Sequence, residues 1–285
     1  MQCQIKLLTP LLLTATAFAS TATVITKSGT IVVIGLSKNK IVIAADSRRK
    51  ASAGVYDDHI CKVTAFGGKF VFTMSGRANF TVLNSSDPSG PPITDLDALD
   101  EARIAFRSAT ADSTDFLADA ANAWGRHVVR IFQESISAVG PATTFSDIPD
   151  GPVTTGFFAG QNVKGELIAY IETVNHRAGN VWVDAMPVSL PDSINYIATG
   201  KTDTVAELRD NKLPWVLKET AAWEKQSVRW TDDESAVLKA IRWIDLTLAA
   251  NPDSDEVGGA IDSVILKPNS RPYWRTRKQE CQGDQ

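Results

Sequence analysis

Four positions in the first third of the chain carry groups suited to hydrolysis: Thr30, Asp46, Lys62 and Gly76. Asp46 follows Thr30 by sixteen residues, Lys62 by thirty-two and Gly76 by forty-six. A hydroxyl is a poor nucleophile at its free pKa and attacks an acyl carbon only when a base stands close by. An ammonium and a carboxylate can set the charge around such a pair, and a glycine lets a backbone N–H approach a developing oxyanion. Taken singly, each has a plainer reading: Thr30 as a strand start, Asp46 as a polar strand end, Lys62 as a solvated side chain. Other hydrolytic chemistries have less to work with. The three histidines, His59, His127 and His176, sit in no nucleophile-elbow or metalloprotease motif. Cys3, Cys61 and Cys281 have no metal-site spacing, so neither a metal nor a cofactor is expected.

The elements that must position these residues start with strands. Thr30 to Leu36 is a continuous apolar run, Lys38-Asn39-Lys40 turns it, and Ile41 to Ala45 returns, which predicts a hairpin of buried strands. Ile60 to Phe66 and Lys69 to Met74 form a second pair around Gly67-Gly68, so four strands are expected before any helix. Asn79 to Ile93 is rich in Ser, Pro and Gly and reads as a loop. A short helix over Leu96 to Ser108 follows. Leu117, Ala121, Trp124, Val128 and Ile131 then recur at three- and four-residue steps, one stripe of a longer helix. Val153 to Ala159, Glu166 to Glu172 and Ile194 to Ala198 read as strands, with a helix from Thr199-Gly200 through Leu208. Thr231-Asp232-Asp233-Glu234 has capping-box spacing ahead of Val237, Ala240, Ile241, Ile244 and Leu248. A last strand, Ala260 to Leu266, precedes a polar tail. Helices grouped between runs of strands favour an antiparallel α+β sandwich over alternating parallel units.

Lys6 is followed by an apolar stretch, Leu7 to Phe18, that is shorter than a membrane span and ends in Ala17-Phe18-Ala19. That pattern predicts a signal peptide over residues 1–19, cleavage before Ser20, and a secreted or periplasmic protein with no membrane attachment afterwards. A partly buried N-terminal segment is the plainer alternative. In an oxidising compartment Cys61 and Cys281 either pair or remain two unrelated thiols. A net charge of -4 offers no electrostatic footprint for nucleic acid. The 44% hydrophobic and 22% charged content is that of a globular domain, and 285 residues suffice for one large one.

In register with Thr30, the strings Gly29-Thr30, Ile41-Val42-Ile43-Ala44-Ala45-Asp46-Ser47-Arg48, Cys61-Lys62-Val63 and Met74-Ser75-Gly76 resemble the catalytic β subunits of the proteasome. The resemblance implies the Ntn-hydrolase fold, a four-layer αββα sandwich of two antiparallel sheets flanked by helices, over residues 30–267. Residues 20–29 would be a propeptide and 268–285 the polar tail. It implies that Thr30 is the nucleophile, exposed when its own hydroxyl attacks the Gly29–Thr30 bond, and that its freed α-amine is the base. Lys62 would lower that amine's pKa, Asp46 would hold Lys62, and Gly76 would donate to the oxyanion. Arg49, Ile60, Met74 and Ala78 would line the substrate pocket, with an apolar or mixed preference. Late in the chain the resemblance breaks down. In Asp253-Ser254-Asp255-Glu256-Val257-Gly258-Gly259, Asp255 would supply the supporting acid, but Val257 stands where a serine is expected. Two functions follow: a threonine-type endopeptidase or amidohydrolase acting on peptide or protein substrates, or an inactive secreted proteasome-like scaffold or binding protein that never exposes Thr30. A homo-oligomer is compatible with both.

Overall fold

The computed structural model describes residues 22–27, 30–52, 55–77, 79–84, 89–92, 94–109, 115–139, 150–200, 232–254, 256–279 and 281, with isolated positions between 214 and 225. Two five-stranded antiparallel sheets face each other. The first has the order β13 (Asn195–Gly200), β2 (Ile31–Leu36), β3 (Ile41–Ala45), β14 (Asp262–Leu266), β15 (Tyr273–Thr276). The second runs β12 (Asn180–Pro187), β11 (Leu167–Arg177), β10 (Gly151–Gln161), β7 (Phe70–Gly76), β6 (Val63–Phe66).

Sequence periodicity assigns each strand face to its layer. Val32, Ile34 and Leu36 of β2, with Ile41 and Ile43 of β3, meet Val71, Phe157 and Ala159 across the sheet interface. The alternate residues Ile31, Val33, Val42 and Ala44 face away, against Val237, Ala240 and Ile244 of helix α3 (Asp232–Ala250). Both faces are therefore buried, which is why these strands read as unbroken apolar runs. On the other side, Leu117, Ala121, Trp124 and Val128 of α2 (Phe116–Val139) pack with α1 (Ala98–Ser108) on the outer face of the second sheet. Trp124 is fully buried, edge-on to Phe158, and its Nε1–H donates to the Ala98 carbonyl at 2.8 Å. The layers are thus helices, sheet, sheet, helix, the αββα sandwich expected.

Several elements differ from the sequence reading. Among the described residues nine strands, not four, precede α1. Asn79–Asn84, expected as loop, is strand β8, paired on one side with β9 (Thr94–Asp97) and on the other with β1 (Ala22–Lys27). Phe80, Val82 and Leu83 are strand-forming residues, but it is the partners on both sides that hold the segment in a sheet. The segment after Leu266 adds β15 to the first sheet, and Cys281 forms a disulfide with Cys61. The helix expected from Thr199 to Leu208 lies outside the described residues beyond Gly200, as do the signal-peptide segment and Thr231. No described helix is long and apolar enough to cross a membrane.

One buried acid stands out. Glu172 on β11 is 1% exposed, neither carboxyl oxygen has a hydrogen-bond partner, and Oε2 fills the space where a Cβ on Gly125 of α2 would sit. Burial pushes it up to about 7, against a smaller pull from Arg126. A raised carboxyl contributes stability that is present below its unfolded value and is lost as pH rises through its folded one. Stability should therefore fall between pH 4.5 and about 7 through this group. Glu172→Gln should remove that slope, which urea unfolding at pH 5 and pH 8 would read; an unchanged slope would rule Glu172 out as its source.

Candidate active site

Asp46 follows β3 directly and is wholly buried. Its Oδ1 accepts the Ile31 N–H at 2.9 Å and the Lys62 ammonium at 2.8 Å. Its Oδ2 accepts the Gly258 N–H at 2.9 Å and the Arg48 N–H at 3.3 Å. One carboxylate thus ties together the residue after Thr30, the Lys62 segment and the Gly258-Gly259 loop. Four donors on one buried carboxylate offset the cost of taking it out of water.

Lys62 is 5% exposed and also donates to the Arg48 carbonyl. Burial lowers its pKa to about 8, against the raising pull of Asp46, with Lys278 and Arg49 adding to the depression. The segment before it is pinned by a bidentate Arg48–Asp58 pair at 2.7 and 2.8 Å and by the Ile60 N–H on the Ser47 carbonyl.

Thr30 is 4% exposed and lies at the entrance to β2. Its carbonyl packs against Gly200, where a Cβ would come within 2.0 Å of the Thr30 oxygen. Gly200 has φ +96, so a glycine suits this place on both counts. Thr30, Lys62, Ser75 and Gly76 line one cavity of about 40 Å³, with Arg49, Ile60 and Met74. Gly76 closes β7 at φ +88, and a Cβ there would meet the Val153 carbonyl oxygen at 2.5 Å. Gly76→Ala should therefore cost about 1–3 kcal/mol in chemical denaturation, from left-handed strain and a backbone clash. A loss under about 0.5 kcal/mol would mean that the turn relaxes freely.

The structure brings Thr30, Asp46, Lys62 and Gly76 together, and places Arg49, Ile60 and Met74 around them. Ala78 and Asp255 lie outside the described residues. Val257 is 2% exposed and belongs to the apolar cluster under α3, so it offers the site no hydroxyl. The neighbouring Ser254 hydroxyl accepts the N–H groups of Glu256 and Val257 and so serves the turn. Sequence reasoning missed Asn79, Asp97 and Leu99, which complete the cavity wall. Arg49 donates to Asn79 at 3.0 Å, Asn79 donates to Asp97 at 2.5 Å, and Asp97 caps α1 through the N–H groups of Leu99 and Asp100. The one available signal was the helix-start pattern at Asp97. No cluster of metal-ligating side chains occurs among the described residues.

With that geometry, solved structures similar to this chain include Anbu proteins. The Anbu complex of Pseudomonas aeruginosa, titled as a helical assembly, is 18% identical over 87% of this chain and 88% of its own, with a TM-score of 0.51. The fold is the Anbu fold. An Anbu (Gly-1) mutant from Hyphomicrobium sp. strain MC1 (18% identical, 88% and 89% covered, TM-score 0.47) and Anbu (ancestral beta-subunit) from Yersinia bercovieri (17%, 87% and 87%, 0.47) are also similar. No protein-family model and no curated protein matches the sequence. The similarity to the Pseudomonas aeruginosa complex corrects the family drawn from the motifs, since that neighbour is an Anbu protein, distinct from the catalytic β subunits of the proteasome. The physical reason is that the matching strings span only β2 to β7, the strands that build the site. A shared proteasome-like core constrains those residues whichever family carries it. At this identity, likeness to Anbu carries the fold and no activity.

Proposed function

We infer that the chain is a threonine-type N-terminal nucleophile hydrolase, acting on peptide or other amide bonds after Thr30 is freed from Gly29. The observation that carries this reading is that Thr30, Lys62 and Gly76 line one cavity, with the ammonium of Lys62 held by buried Asp46. The Thr30 hydroxyl attacks the acyl carbon while the α-amine of Thr30 takes its proton. The nearby Lys62 cation keeps that amine unprotonated near neutral pH, and the backbone at Gly76 faces the charge that develops on the carbonyl oxygen. The amine then returns the proton to the leaving nitrogen, and water releases the acyl group from the Thr30 oxygen.

Strand β1 favours a polypeptide substrate. Residues 22–27, just ahead of Thr30, lie extended and antiparallel to β8, whose first residue, Asn79, lines the cavity. Ile60, Met74 and Leu99 with the Arg49–Asn79–Asp97 chain make the pocket mixed in character. The Cys61–Cys281 disulfide supports export to an oxidising compartment, secreted or periplasmic. The helical assembly named for the Anbu complex supports a homo-oligomer.

Intact mass and N-terminal sequencing of the protein exported from its own host test the reading. A chain beginning at Thr30 is the expected result, and native mass of the same sample gives the copy number. A chain beginning at Ser20 and unchanged on long incubation would overturn it in favour of an inactive scaffold. The burial of Val257 in place of a site hydroxyl is the observation on that side.

A further inference from the structure

The C-terminal segment reaches the back of the Lys62 segment. After β15, the Lys278 N–H donates to Asp262 Oδ1 at 2.9 Å, and its ammonium lies 2.8 Å from Asp262 Oδ2. The same ammonium donates to the Ile60 carbonyl at 2.7 Å, two residues before Lys62. Both charged side chains are nearly sealed from solvent, at 7% and 1% exposure. Asp262 pairs with Ala45 in the β14–β3 ladder, so the ion pair is anchored one residue from Asp46. Three residues beyond Lys278, Cys281 is disulfide-bonded to Cys61, the residue between Ile60 and Lys62. Its N–H also folds back onto the Lys278 carbonyl at 3.1 Å.

We propose that Lys278 is the positioning residue for Lys62, with the Cys61–Cys281 disulfide as its tether. The segment from 276 to 281 is then part of the reactive site's support, although none of its described residues lines the cavity. Without these contacts, the short irregular segment that carries Lys62 would lose one of the sides from which it is held, keeping the Ser47–Arg48 side. With them, the segment is clamped on two sides, and Lys62 keeps its ammonium on Asp46. A buried ion pair repays its desolvation only while its geometry is held closely, so loosening the segment weakens the Lys62–Asp46 pair. The charged groups around Lys62 are Asp46, Lys278 and Arg49, with Asp58 further out. Lys278 is thus both a clamp on the backbone and a second cation close to Lys62. The role in turnover rests on the hydrolase reading, but the placement of Lys62 does not.

The test reads Lys62 directly. In the full chain labelled with ¹³C at lysine Cε, the Lys62 signal is assigned by its loss in Lys62→Met, and its titration is followed by NMR. In Lys278→Met, the Lys62 midpoint should rise by about one unit as a neighbouring cation is lost and the segment loosens. The alkaline limb of kcat/KM should move with it, and kcat should fall about tenfold while KM changes less than about twofold. Lys278→Arg should restore both. An unmoved Lys62 midpoint in folded Lys278→Met overturns the proposal. Should that variant fail to fold, Cys61→Ser/Cys281→Ser releases the tether without leaving a buried charge unpaired. An upward shift there supports the proposal, and a native midpoint overturns it. A shifted midpoint in a chain that hydrolyses no probe supports the role of Lys278 and defeats the hydrolase reading.

Discussion

Thr30→Ala yields a folded chain that keeps its Gly29–Thr30 bond and loses about 10⁴-fold or more of its peptide hydrolysis. The hydroxyl is the group that attacks both its own preceding carbonyl and the substrate, so one substitution removes two readouts together. Little else should change. Thr30 packs its backbone carbonyl against Gly200, a contact that alanine keeps, while the hydroxyl and the γ-methyl are lost, so stability should fall by about 1 kcal/mol. Thr30→Ser keeps the hydroxyl and should still process, at a lower rate. Mass spectrometry reads the processing, and fluorogenic peptides read the hydrolysis. A Thr30→Ala chain that begins at the same residue as the native one and hydrolyses equally well would sink the reading.

Asp46→Ala should give the largest loss of stability of any substitution in the site, about 3–5 kcal/mol in urea unfolding. The carboxylate is completely buried and accepts from Ile31, Arg48, Lys62 and Gly258. Removing it strands a buried ammonium and leaves the Ile31 and Gly258 N–H groups without their acceptor, and each such donor costs about 1–3 kcal/mol. The same change frees Lys62 from the cavity wall, so processing at Gly29–Thr30 should be lost as well. Asp46→Asn keeps the volume but turns one acceptor into a donor facing other donors, and it should recover little. A loss below about 1 kcal/mol for Asp46→Ala would mean that the three segments are held together by other contacts.

Where the sequence was legible, the cause was local. Strands β2 and β3 fall at the predicted positions because both faces are buried, so every residue in them is apolar. Helix α2 was legible from the stripe of Leu117, Ala121, Trp124 and Val128, all of which are buried. The spacing of Thr30, Asp46, Lys62 and Gly76 was legible through the resemblance, and it holds because they lie at the ends of β2, β3, β6 and β7, whose register the buried faces fix. The family was not, since that register belongs to the fold.

Other features depended on partners far along the chain. Strand β8 exists because β1 and β9 flank it, while the Ser-, Pro- and Gly-rich sequence that follows Asn84 reads as irregular structure. Strand β12 was missed because it is an edge strand whose outer residues, Trp182 and Met186 among them, face solvent and break the buried pattern. Asn79 and Asp97 reach the cavity only because β8 and β9 pair there.

The sequence by itself determined the layered α+β architecture and the strands that frame the site, because burial and strand register are written in periodicity, and it pointed to the four residues at its centre through their resemblance to a known family. The tertiary structure alone decided that Asp46 would hold Gly258, 212 residues away. It also decided that Val257 would face the core, and that Cys61 would bond Cys281 across 220 residues. Such contacts are set by which sheet edges meet when the layers close, and no local pattern encodes that meeting.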